Sequence, residues 1–166
     1  DIDVFANSTY NNYLLWYENN GSESFTSRTI ISSLNNKDAY PIDLDQDGDI
    51  DVLSSDESGD KIYWHENNGS QSFSSTIIAS SLNSGPNRLY PKDIDRDGDI
   101  DILCGLHDDV VWLENNGSQS FTVHTLVTGL GTVYEVFAAD LDHDGDVDLL
   151  YADSGNNKVV LLTNNG

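Results

Sequence analysis

Basic residues are scarce in this sequence: seven Lys and Arg stand against 29 Asp and Glu, a formal net charge of −22. So acidic a chain repels nucleic acid and anionic lipid, so neither is an expected partner, and the balance points to cations. Cysteine is limited to Cys104, which excludes an internal disulfide. Set in the apolar run "DILCG", that residue suits a small core position better than a nucleophile or a ligand. Methionine is absent, and the opening "DIDV" looks like the tail of another acidic repeat. The expectation is a piece of a longer protein, with any signal peptide upstream. No apolar run reaches 18 residues, so no membrane-spanning helix is encoded and direct membrane insertion is not expected.

What the sequence does contain is repetition. "DLDQDGDID" begins at Asp43, "DIDRDGDID" at Asp93 and "DLDHDGDVD" at Asp140. These stretches hold 15 aspartates, and Asp1 and Asp3 bring the total to 17 of the 29 acidic residues. Without them the charge would be near −5, so the acidity is concentrated in one short spacing rather than spread over a solvated face. A second landmark, "WYENNGS", "WHENNGS" and "WLENNGS", places Trp16, Trp64 and Trp112 48 residues apart, and Phe25, Phe73 and Phe121 keep the same step. The units run about 1–48, 49–98 and 99–145, with a partial unit at 146–166.

Each unit reads as four short strands. "DIDVLSS", "DIDILCG" and "DVDLLYA" alternate small or acidic residues with aliphatic ones, and "KIYWH" and "DVVWL" put an aliphatic residue and the Trp on one face. "NNG" predicts a tight Asn-Gly hairpin turn, a Phe-led strand follows, and "AYPID", "LYPKD" or "VFAAD" leads back into the acidic stretch. Pro41 and Pro91 sit where that last strand ends. With no helical period, the expected fold class is all-β: β-propeller blades of four antiparallel strands. About three and a half blades are present, starting at the second strand of one and stopping after the third of another. The tryptophans are expected in the apolar layer between blades.

A hard cation explains why five aspartates are tolerated in nine positions. Calcium takes six to eight oxygen ligands, and alternate side chains of a tight loop converge on one point. Gly48, Gly98 and Gly145 at the sixth position permit the sharp turn. The loop is not an EF-hand, because Ser54, Cys104 and Tyr151 stand where that loop needs Glu. Magnesium fits less well, since it keeps its waters. Three Ca²⁺ sites are therefore expected, one per complete acidic loop. Exposed loops of this kind belong to the class with Kd of about 10⁻⁴ to 10⁻³ M, full only in a calcium-rich compartment, so an extracellular or cell-surface setting is expected.

The "DxDxDGDxD" loop running into a "DIDVL"-type strand, followed by "WxENNGSxxF", resembles the FG-GAP/VCBS repeat of integrin α-subunit heads, bacterial and algal surface proteins and some fungal lectins. The resemblance spans the whole chain. It implies a seven-bladed, sometimes eight-bladed, propeller with calcium between the innermost and second strands of a blade. It also implies a ligand set: Asp43, Asp45, Asp47 and Asp51 with Asp49 through its carbonyl; Asp93, Asp95, Asp97 and Asp101 with Asp99; and Asp140, Asp142, Asp144 and Asp148 with Asp146. Asp3 would be the last ligand of a further site. The words "FG" and "GAP" are not visible, which places the chain nearer the VCBS branch.

His65, His107, His124 and His143 fall at unrelated repeat positions, and no catalytic constellation is legible, so an enzyme is not expected. Sequons at Asn7, Asn20, Asn68 and Asn116 are N-glycan acceptors if the source has a secretory pathway, although "NNG" also serves as a turn. Three roles remain open: a module binding an extracellular protein or glycan, a scaffold packing against neighbouring copies, or an ancillary domain of a polysaccharide-active enzyme.

Overall fold

Fourteen strands follow one another as antiparallel meanders in the computed structural model, which describes residues 2–8, 11–32 and 34–165. The first sheet is β1 (Val4–Ser8), β2 (Tyr13–Asn19) and β3 (Phe25–Ser32). The second is β4 (Asn36–Ile42), β5 (Asp51–Asp56), β6 (Lys61–Asn67) and β7 (Phe73–Ala79). The third is β8 (Pro86–Lys92), β9 (Asp101–Leu106), β10 (Val110–Asn115) and β11 (Phe121–Val127). The fourth is β12 (Val133–Ala139), β13 (Asp148–Asp153) and β14 (Lys158–Leu162). The chain thus enters at a second strand and leaves after a third, with two complete blades between. The repeat units of the sequence cut each blade at its acidic loop. Asp1 and Thr9, the third residue of the first sequon, lie outside the described residues.

The sheets are arranged as wedges. β4 packs along β8 and β8 along β12, whereas β7 barely meets β11. This convergence of first strands and divergence of last strands is the geometry of propeller blades. Sequence explains it through side-chain size. The second strands are buried on both faces: all six residues of β5 (DVLSSD) and of β9 (DILCGL) are enclosed. Ser54, Ser55, Cys104 and Gly105 let the neighbouring sheets approach. A Cβ on Gly105 would lie 2.7 Å from Val133 Cγ1 of the next blade.

Aliphatic and aromatic residues fill the junctions. Leu53, Trp64, Ile102, Cys104 and Leu113 form one core, and Leu103, Val133, Val136 and Tyr151 form the next. Trp16 meets Phe73 of the following blade edge-on, with centroids 6.2 Å apart, and Phe121 packs against the core that holds Trp64. The tryptophan layer is therefore inter-blade, as the spacing predicts. Cys104 is fully buried, and burial pushes its thiol well above the ordinary range, so it remains a protonated core residue. At the converging strands, repeat-equivalent Asp38, Arg88 and Glu135 alternate in sign, and Arg88 reaches both acids at 3.4 and 3.1 Å.

The "NNG" segment differs from the expectation. Instead of a two-residue turn it begins a five-residue loop, 20–24, 68–72 and 116–120, closed by Asn20 N to Ser24 O at 3.0 Å and its equivalents. Left-handed residues at Gly21 and Glu23, and again in the other copies, shape the loop. Nothing in an Asn-Gly pair distinguishes the two outcomes; the left-handed Glu and Gln positions carry no sequence signal.

Burial also sets a pH limit. His65 on β6 is fully enclosed, its Nε2 2.8 Å from Ser54 Oγ and its Nδ1 2.8 Å from Ser75 Oγ. Desolvation lowers its pKa from 6.5 to about 4. The unfolded chain takes up the proton near pH 6.5 and the folded chain only near 4. Stability from this residue is thus complete above 6.5 and declines as pH falls between those values. The loss amounts to about 3 kcal/mol. Urea denaturation of wild type and His65→Gln from pH 7 to 4 reads this directly. The wild-type curve should fall more steeply, and parallel curves would contradict the assignment.

Candidate metal centre

Each acidic loop joins the first strand of a blade to the second: 43–51 links β4 to β5, 93–101 links β8 to β9, and 140–148 links β12 to β13. Two left-handed positions bend it: the fourth residue (Gln46, Arg96, His143; φ 62–66°) and the sixth (Gly48, Gly98, Gly145; φ 98–104°). Carboxylates then accept amides of their own loop. Asp47 N donates to Asp45 Oδ1 at 3.3 Å, Asp49 N to Asp47 Oδ1 at 2.9 Å, and Gly48 N to Asp43 Oδ2 at 3.1 Å. The second loop repeats all three bonds, with Gly98 N to Asp93 Oδ2 at 3.2 Å. The third repeats the first two through Asp144 N and Asp146 N.

These turns gather carboxylates. Oxygens of Asp43, Asp45 and Asp47, of Asp93, Asp95 and Asp101, and of Asp140, Asp142 and Asp148 lie within 4.8 Å of one another in each loop. Positions one and three thus converge in every copy, joined by position five in the first and position nine in the other two. Asp51, Asp97 and Asp144 stand outside these triads. So do the side chains at position seven (Asp49, Asp99, Asp146), whose expected contribution is a backbone carbonyl. Asp49 instead turns to the hairpin loop, where a Cβ on Gly69 would lie 2.5 Å from its Oδ2, and Asp99 stands in the same relation to Gly117.

One observation tests whether these residues fit a cation. Asp43 Oδ1, Asp93 Oδ1 and Asp140 Oδ1 are buried and have no hydrogen-bond donor. Buried carboxylate oxygens without partners are costly and rare, yet here the same atom is orphaned in all three loops. A hard cation shared with the two neighbouring carboxylates satisfies it, so the donor set fits. Desolvation, joined by the charges of neighbouring aspartates, raises the pKa values of Asp45 and Asp95.

Position nine has a second task that sequence reasoning missed. Asp51 Oδ1 accepts Asn67 N at 2.7 Å, while Oδ2 accepts Trp64 Nε1 at 2.8 Å and Leu44 N at 3.3 Å. Asp101 accepts Asn115 N at 2.8 Å and Ile94 N at 3.0 Å; Asp148 accepts Asn164 N and Leu141 N, both at 2.9 Å. Asp3 binds Trp16 Nε1 and Asn19 N, both at 2.8 Å. Burial raises the pKa of Asp51 and Asp101, whereas the Asn164 and Leu141 amides lower that of Asp148. Asn67 Nδ2 returns the contact by donating to Ile50 O at 3.2 Å, as Asn115 does to Ile100 O and Asn19 to Ile2 O. The first Asn of "ENN" therefore ties the acidic loop through its Nδ2 to the hairpin loop, whose Gly amide its Oδ1 accepts, and the second builds the hairpin loop through its own Oδ1. The near-constant separation of last Asp and "ENN" was the available signal.

Other expected residues are dispersed. Asn20, Asn68 and Asn116 are exposed in the hairpin loops, while Asn7 is half-buried within β1. His107 pairs with Glu57 at 2.7 Å, His124 with Glu114 at 2.6 Å, and His143 is exposed at position four of its loop.

Comparison with known proteins agrees with this architecture. No curated protein matches the sequence. A solved structure of a lectin from Agrocybe aegerita, described as recognising non-reducing terminal N-acetylglucosamine, superposes with a TM-score of 0.63 at 18% identity. The match covers 99% of this chain and 50% of that one, so the present chain spans half its length. At that identity the likeness is one of fold. A family model described as an FG-GAP-like repeat matches residues 1–53, 43–104 and 105–151. With three consecutive matches over most of its length, the chain belongs to the FG-GAP-like repeat family.

Proposed function

We propose that this chain is a calcium-stabilised propeller module that presents its loops to an extracellular protein or glycan and performs no catalysis itself. The observation that carries the cation reading is the orphaned Oδ1 of Asp43, Asp93 and Asp140, each buried beside two further carboxylates. Asp43, Asp45 and Asp47, then Asp93, Asp95 and Asp101, then Asp140, Asp142 and Asp148 would hold the ion. Asp51, Asp97 and Asp144, with the carbonyls of Asp49, Asp99 and Asp146, complete the shell that the family resemblance implies. Calcium suits an all-oxygen, flexible donor set better than magnesium does. Weak sites of this class fill only at the calcium levels found outside the cell, which supports a secreted or surface setting. Exposed Asn20, Asn68 and Asn116 suit N-glycosylation in such a setting, and the lectin of like fold supports a glycan as ligand.

Calorimetric titration with CaCl₂ and MgCl₂ tests the metal. Three calcium equivalents per chain are expected, and equal response to both ions would overturn the assignment. A glycan array that includes terminal N-acetylglucosamine tests the ligand. Specific signal supports the glycan reading, while a blank array leaves protein partners as the prediction to pursue.

A further inference from the structure

First strands β4, β8 and β12 pack along one another, so the acidic loops that follow them have neighbours within side-chain reach. The fourth residue of a loop uses that reach. Gln46 and Arg96 are both left-handed, at φ 62° and 65°. Gln46 Nε2 donates to Gly98 O of the second loop at 2.8 Å, across 52 residues of sequence. Arg96 extends in the same direction: a Cβ on Gly145 of the third loop would have Arg96 Nη1, at 3.6 Å, as its nearest neighbour. Both side chains thus leave their own loop and end at the sixth-position glycine of the next.

The peptide between Gly98 and Asp99 is held at both ends. Its carbonyl accepts Gln46 Nε2, and its N–H donates to Asp97 Oδ1 at 2.9 Å. It immediately precedes the Asp99 carbonyl that the calcium reading takes as a ligand, so its orientation helps to aim that oxygen. Arg96 brings different chemistry to the equivalent place. A guanidinium stays charged, and beside the third loop it offsets part of the acid charge that attracts a cation. The aspartates themselves do not distinguish the loops, since all three copies carry them at positions one, three, five, seven and nine. Position four is where the copies differ in charge.

We propose that Gln46 and Arg96 are positioning residues for the next loop rather than for their own, and that they make the cation sites unequal: Gln46 tightens the second site and Arg96 weakens the third. This inference rests on the calcium reading and adds to it an order of filling that the ligand residues do not contain.

Nuclear magnetic resonance of the whole chain labelled with ¹⁵N and ¹³C tests it, with Gly48, Gly98 and Gly145 as one reporter per loop. In EDTA, Gln46→Ala should move the Gly98 carbonyl and Asp99 amide signals and leave those of Gly48 and Asp49 in place. On titration with CaCl₂ at about 20 mM salt, Gly145 should respond at about fivefold higher calcium than Gly98, a gap that narrows to about twofold at 0.5 M NaCl. Arg96→Gln should close the gap, and Arg96→Lys, which keeps the charge, should preserve most of it. Gln46→Ala should raise the Gly98 midpoint about threefold, the worth of one exposed hydrogen bond, with Gly48 unmoved. Calcium-responsive glycines whose midpoints ignore these substitutions would overturn the proposal and leave the metal reading intact. So would a change confined to the substituted residue's own loop. Glycines that ignore calcium altogether would overturn the metal reading and this tuning with it, a result distinct from the first because the EDTA shifts would remain.

Discussion

On the calcium reading, chelation by EDTA is expected to lower the melting temperature of this protein by about 10 °C relative to the same chain in excess calcium. At free calcium ten times Kd, each site adds about 1.4 kcal/mol, so three sites add about 4 kcal/mol. For a chain of this size one kcal/mol corresponds to about 2–4 °C, which brackets the expected shift. Repulsion works in the same direction. Burial and, after it, like-charged aspartates raise the pKa values of Asp45 and Asp95, and a cation at the loop would offset that repulsion. Circular dichroism melts with EDTA, calcium and magnesium give the comparison. A melting temperature indifferent to chelation would sink the stapling role, whatever the titration stoichiometry.

Asp101→Ala is the second large effect. Its carboxylate is fully buried and accepts the amides of Ile94 and Asn115, so alanine strands two buried donors at about 1–3 kcal/mol each. It also removes one of the three carboxylates in that triad. The expected loss is about 3–5 kcal/mol by urea denaturation in calcium, with most of it persisting in EDTA because the hydrogen bonds do not need the ion. Asp97→Ala serves as the contrast. Its side chain accepts one exposed amide, from Asp99, and its loss should stay below about 1 kcal/mol in EDTA. Equal costs for the two variants in EDTA would mean that position nine is a ligand only and does not tie the loop to the hairpin.

The contrast shows where sequence reading succeeds and where it stops. Blade architecture was legible because "WxENNGSxxF" and the acidic loop recur at steps that a single strand pattern cannot produce by local composition. The inter-blade place of Trp16 and Trp64 followed from the same period, and the core role of Cys104 from its apolar run "DILCG". Within the loop, residue type pointed to the cation, but geometry decided which side chains meet. Asp97 and Asp144 look equivalent to Asp47 in sequence, yet only Asp47 joins its triad. Small differences in loop closure decide which carboxylate joins positions one and three, and no residue type encodes them.

Long-range bonding was harder still. The tie from Asp51 to Asn67 crosses 16 residues, and its identity depends on the register of β5 against β6. Irregularities at Ile62/Tyr63, Leu14/Leu15 and Val110/Val111 recur at one repeat position, marking a bulge that residue preference leaves unannounced. Left-handed Gln46, Arg96 and His143 have no residue type in common. Repetition makes such features visible only after the backbone is known.

The nesting of each second strand between two neighbours has a mechanical outcome. Ile102, Leu103 and Cys104 on β9 have no exposed surface, so that strand can be freed only after a flanking sheet has moved. Loosening therefore starts at the outer sheets and travels inward, sheet by sheet, rather than beginning everywhere at once. Among the described residues, the enclosed strands are the last to let go.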